Sequence, residues 1–194
     1  MSMPVAFWLL PGEPSMRVFA QSVDELARRY DAPRFTPHVT LHVDRVVREA
    51  DLAAVLDEAA ARFAPFQMQA GPTGHSPLLF KTLYVPLAGG DIIGLAAALA
   101  GGVARWRPAQ NEGEEAAAAY RLEPHLSLLY KQLSEAEREG LAARHCHDGE
   151  SFYFDRIATV TPAPGAQDFS RVEDWVVWPP RLLIGHNPSA EASR

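Results

Sequence analysis

Two segments of the chain carry an imidazole and a hydroxyl two residues apart. They are Arg34-Phe-Thr-Pro-His-Val-Thr-Leu-His-Val43 and Arg121-Leu-Glu-Pro-His-Leu-Ser-Leu-Leu-Tyr130, which align at an offset of 87 residues. Arg, Pro, His and one Leu are identical at matching places, and Thr40 corresponds to Ser127. In a strand, side chains alternate between faces. Val39, Leu41 and Val43 are then expected on the core side, with His38, Thr40 and His42 opposite. In the second copy Leu126, Leu128 and Tyr130 share one face, and His125, Ser127 and Leu129 the other. Each strand presents an imidazole and a hydroxyl to one surface, their Cα atoms about 6.5 to 7 Å apart.

If the two copies face each other, two imidazoles and two hydroxyls converge on one cleft. Imidazoles that titrate near neutrality can act as general base and general acid. The hydroxyls can donate hydrogen bonds to non-bridging phosphoryl oxygens. The set lacks a carboxylate-rich metal site, so metal-free chemistry is expected, with no cofactor.

The elements that must position these groups repeat as well. Phe19, Val23, Leu26, Ala27 and Tyr30 recur at helical spacing over about 15–30, ahead of the first motif. Leu52, Val55, Leu56, Ala59, Ala60 and Phe63 form an amphipathic stripe after it. Ahead of the second motif, Asp91 is placed to cap a helix reaching about Trp106. After it, Ser134 and Glu137 form a capping-box pattern opening a helix to about Ala143. Strand-like runs fall at 4–10, 66–70, 79–87, 151–161 and 175–178, with the motif strands near 37–43 and 124–130. Each half therefore reads strand, helix, motif strand, helix, strand: one bilobal domain over 1–185. The polar, acidic 107–120 stretch reads as a surface loop, or a lid over the site, and 186–194 as a disordered tail.

The 194 residues carry 18 Lys+Arg and 24 Asp+Glu, a formal charge of −6. That balance argues against gripping long nucleic acid through a basic surface. A single cysteine, Cys146, excludes an internal disulfide and fits a reducing compartment. The longest apolar run, Ile92 to Ala104, has 13 residues, short of the about 20 that a membrane span needs. A cytoplasmic, monomeric protein without membrane contact is expected.

The paired motifs PHVTLHV and PHLSLLY resemble the 2H phosphoesterase superfamily, and within it the cyclic phosphodiesterase branch. The likeness extends over most of the chain, including an opening strand that carries Trp8. It implies an α+β fold of two pseudo-symmetric lobes, each an antiparallel sheet with helices on its outer face, and an active cleft between them. It also implies a small cyclic-phosphate nucleotide as substrate: a 2′,3′-cyclic phosphate opened to a 2′-phosphate, or ADP-ribose 1″,2″-cyclic phosphate. Carried across by motif, His38 and His125 are the acid–base pair, and Thr40 and Ser127 hold the phosphate. The working assignment takes His125 as base and His38 as acid. Trp8 and Tyr130 would flank the base or sugar, although alternation puts Tyr130 on the face opposite His125 unless the strand twists, bulges or ends there. Branch members often carry Gly soon after each motif. Here His42-Val43-Asp44 and Tyr130-Lys131-Gln132 stand instead, which leaves the exact substrate open.

His42 shares a face with His38 under simple alternation and can line the cleft. Lys81 reads as a solvated strand residue or as a cation for the cleft. Trp106, Trp175 and Trp178 read as packing residues, His75 as a loop residue, and Arg34 and Arg121 as a symmetric structural pair. His145 and His147 flank Cys146 with spacing that suits a tetrahedral metal poorly. Two other functions compete: hydrolysis at RNA ends or of 2′–5′ oligonucleotides, which calls for a basic rim, and a non-catalytic nucleotide-binding module.

Overall fold

A computed structural model describes residues 2–47, 50–107 and 120–185. The loop expected inside 107–120 and the expected tail at 186–194 lie outside the described residues, apart from Arg107 and Tyr120.

The chain runs β1 (Ser2–Pro11), α1 (Ser15–Tyr30), β2 (Val39–Val47), α2 (Leu52–Arg62), β3 (Phe66–Ala70), β4 (Gly74–His75), β5 (Leu83–Ala88), α3 (Ile92–Ala104), β6 (His125–Leu129), α4 (Glu135–Arg144), β7 (Ser151–Pro162), β8 (Trp175–Val177) and β9 (Arg181–Leu182). The helices form where amphipathic spacing demands them. Phe19, Val23, Leu26 and Ala27 of α1 are buried, as are Val55, Leu56, Ala59 and Ala60 of α2. The Asp51 side chain accepts the Ala54 N–H and starts α2, and the Ser134/Glu137 capping box starts α4. Asp91 stands ahead of α3 but makes no capping hydrogen bond. The strand expected from residue 79 begins later, because Leu79–Lys81 forms a 3₁₀ turn. His75, expected in a loop, sits in the short β4, paired with Leu83.

Two antiparallel half-sheets make the lobes. In one, β1 lies between β2 and the second half of β7, with β8 and β9 beyond. In the other, β5 lies between β3 and β6 and also holds β4. The halves are joined twice: the first residues of β7 pair with β3, and Val39 of β2 pairs with Leu126 of β6. The six strands β1-β2-β6-β5-β3-β7 thereby close into a ring.

The helices cross between lobes. The first, α1, follows β1 yet packs on β6, whereas α3 follows β5 yet packs on β2. This exchange runs one core through both lobes, with Phe7, Leu9, Leu41, Leu99 and Leu126 all essentially inaccessible. Truncating such a side chain to Ala costs about 2–5 kcal/mol. Along β1 the alternation is regular: Val5, Phe7 and Leu9 enter that core, while Ala6, Trp8 and Leu10 join a smaller cluster with Ala158 and Val160 on the opposite face. Among the described residues no helix is long and apolar enough to cross a membrane.

Candidate active site

The two motif histidines are held the same way. His38 Nδ1 lies 2.7 Å from the Thr36 carbonyl oxygen, and His125 Nδ1 lies 2.6 Å from the Glu123 carbonyl oxygen. A carbonyl only accepts, so Nδ1 carries the proton in both rings, and Nε2 is left as the atom that titrates. Thr36 and Glu123 occupy equivalent places, so the duplication extends to the bond that fixes each tautomer.

The strands then break their alternation at equivalent points. Trp8 pairs with Thr40 but Phe7 pairs with His42, leaving Leu41 as an extra residue in β2. Tyr84 pairs with Ser127 but Leu83 pairs with Leu129, leaving Leu128 as an extra residue in β6. Each bulge follows the hydroxyl residue and shifts the following side chains by one place. Val43 and Tyr130, equivalent residues expected on the core side and the far face, both turn to the cavity. His42 is correspondingly withdrawn from it. It pairs with Phe7 on the core side and sits 3.1 Å from Asp44, which also receives hydrogen bonds from Arg107. The expectation that His42 lines the cleft is therefore corrected.

The cavity has a volume of about 480 Å³, within the range of small-ligand sites. His38, Thr40, His125, Ser127, Trp8 and Tyr130 all line it. Trp8 stacks on His38, with ring centroids 3.5 Å apart and planes 7° from parallel, so one indole face is occupied by the histidine. Tyr130 is likewise stacked by Phe35, at 3.9 Å. Ser127 Oγ donates to the Phe80 carbonyl at 2.9 Å and must turn from it to bind an anion.

The rest of the wall comes from residues that no pattern in the sequence assigns to it. Trp175, expected as packing, lines the cavity edge-on to Trp8 and Tyr130 and donates its indole N–H to the Phe169 carbonyl. Phe80 and Phe169 are also in the wall, as is Tyr120, whose hydroxyl donates to the Thr40 carbonyl. Phe80, Phe169 and Tyr120 sit in turns and connections, and Trp175 opens the three-residue β8, all too short or irregular for periodicity to mark a face. Lys81 lines the cavity too, carried there by the 3₁₀ turn rather than on a strand face.

Burial separates the two imidazoles. His38 is 6% exposed, and desolvation pushes its pKa down to about 3, against the opposing hydrogen bond to Thr36; the like charge of His125 lowers it further. His125 is less buried. Its pKa is lowered by desolvation first, raised by the Glu123 carbonyl, lowered by Lys81 and raised by the Glu123 carboxylate.

Two lobes that bring His-x-Thr and His-x-Ser to one cavity define a phosphoesterase of the two-histidine type. The chain belongs to the 2′-5′ RNA ligase superfamily, that is, to the 2H phosphoesterases; the family model matches residues 12–161. Solved structures share its fold. Escherichia coli LigT complexed with 3′-AMP superposes with a TM-score of 0.54 at 15% identity, over 94% of this chain and 99% of that one. TT0787 of Thermus thermophilus gives a TM-score of 0.61 at 16% identity, over 95% of this chain and all of the other. No curated protein matches the chain.

Proposed function

We propose that the protein hydrolyses small 2′,3′-cyclic phosphodiesters of nucleosides to 2′-phosphates. The observation that carries this reading is the convergence of two tautomer-fixed imidazoles and two hydroxyls on one aromatic-walled cavity of nucleotide scale. A water oxygen attacks phosphorus in line, and His38 Nε2 takes its proton. The bond from phosphorus to the ribose 3′-oxygen breaks, and His125 gives its Nε2 proton to that oxygen. Thr40 and Ser127 donate to the non-bridging oxygens as charge builds on them. The two imidazoles supply both proton transfers.

This assignment reverses the roles taken from the motifs alone. An imidazole held neutral by burial, as His38 is, does not arrive as a general acid near pH 7. The more exposed His125, beside a carboxylate, takes up a proton more readily. The test is product identification with EDTA present, offering 2′,3′-cyclic AMP, 2′,3′-cyclic CMP and ADP-ribose 1″,2″-cyclic phosphate. Conversion of the cyclic nucleotides to 2′-phosphates is expected. No conversion of any of the three overturns the reading.

A further inference from the structure

Lys81 carries the one formal positive charge among the described residues that line the cavity, the two histidines aside. Its turn is fixed at several points. Thr82 Oγ1 donates to the carbonyls of Leu79 and Lys131, Ser76 Oγ donates to the Lys81 carbonyl, and the Phe80 carbonyl accepts from Ser127. The ammonium stands 4.7 Å from the centre of the Tyr84 ring, and that ring meets His125 edge-on at 5.4 Å. It also makes a 2.8 Å ion pair with Glu123, whose backbone carbonyl holds His125. Lys81 is the shielded member of the pair, with 22% of its side chain exposed against 60% for Glu123. In the first motif the uncharged Thr36 occupies the place of Glu123, so that position offers no carboxylate for an equivalent pair.

We propose that Lys81 binds the substrate phosphate, and that Glu123 is its counter-ion when no anion is present. Phosphate and Glu123 then compete for one ammonium. The carboxylate is an exposed rim group that yields to solvent at little cost, because exposed ion pairs are weak. A phosphate drawn into the cleft gains a charge-assisted hydrogen bond from a cation already seated beside His125. The inference rests on the proposed function for its substrate class, but its test does not require turnover.

The test is binding of 2′-AMP, followed by calorimetry, with the His125 titration followed by NMR in the same variants. The titratable groups around His125 are Lys81, Tyr84 and Glu123, with Arg121 beyond Glu123 and His38 across the cleft. Lys81→Met should weaken 2′-AMP binding about tenfold or more, and Lys81→Arg should restore most of it. Glu123→Gln should tighten binding, since it removes the competitor. The His125 pKa should rise in Lys81→Met and fall in Glu123→Gln, opposite shifts that a merely structural role would not produce. Unchanged binding in Lys81→Met, or weaker binding in Glu123→Gln, overturns the proposal. Loss of 2′-AMP in Lys81→Met from a protein that turns over no cyclic phosphate would uphold Lys81 and remove the hydrolytic reading. Turnover of cyclic nucleotides with Lys81→Met unaffected in binding and KM would do the reverse. A wild-type protein that binds no 2′-AMP contradicts both.

Discussion

The indole of Trp8 lies flat on the imidazole of His38, 3.5 Å away and 7° from parallel; Trp8 is on β1, paired with Thr40, and His38 stands just ahead of β2. With the Thr36 carbonyl on Nδ1, this leaves the ring little freedom to turn. Trp8 thus acts first on the histidine. Trp8→Leu should lower kcat by about tenfold with KM nearly unchanged. Trp8→Phe, which keeps a flat ring, should hold most of the rate. A rise in KM alone would give Trp8 the substrate-flanking role that the sequence suggests.

Burial of His38 links stability to pH. The folded protein keeps this imidazole neutral down to about pH 3, whereas the unfolded chain takes up the proton near 6.5. Between those values the unfolded state binds more protons, so this group's contribution is intact above 6.5 and is lost as pH falls. The slope is about 1.4 kcal/mol per pH unit. Urea unfolding of wild type and His38→Gln from pH 7 to 4 should show curves that converge towards acid. Parallel curves would mean that the imidazole is not held neutral.

The division of roles sets the pH profile. In the proposed reaction His125 arrives protonated; its pKa lies below the usual 6.5, so kcat/KM should fall as pH rises through that lowered value. A bound phosphate anion favours the imidazolium, which places the corresponding limb of kcat at higher pH. A phosphodiester with a nitrophenolate leaving group needs little acid assistance. On it His125→Ala should be impaired far less than His38→Ala; the opposite order would restore the roles read from the motifs.

How much of this was legible in the residues varies by element. Amphipathic stripes and caps marked α1, α2 and α4, because helix faces are set by local periodicity. The motif histidines and hydroxyls were legible because the duplication repeats them. Alternation failed just past the hydroxyls, where the bulges at Leu41 and Leu128 turn Val43 and Tyr130 to the cavity and His42 away. A bulge depends on the partner strand's register, which a single strand's sequence does not display. Trp175, Phe80, Phe169 and Lys81 reach the wall from turns and short elements, where side-chain direction follows tertiary packing.

Thr40 and Ser127 line one cavity, and in the proposed reaction they share one phosphate, so their losses should not combine freely. Thr40→Ala and Ser127→Ala should each reduce kcat/KM by about 10²–10³-fold. The double variant should lose less than the product of the two, as expected of groups sharing a partner. Strict multiplicativity in a double-mutant cycle would show that the hydroxyls act on separate groups.

Every step of the proposed reaction depends on His38 and His125 together performing the proton transfers. Single-turnover conversion of 2′,3′-cyclic AMP should be measured with EDTA for wild type, His38→Ala and His125→Ala, each variant's fold verified by circular dichroism. A two-histidine mechanism yields 2′-AMP from wild type and a loss of about 10²–10⁴-fold in each variant. Losses below tenfold in both folded variants would contradict it.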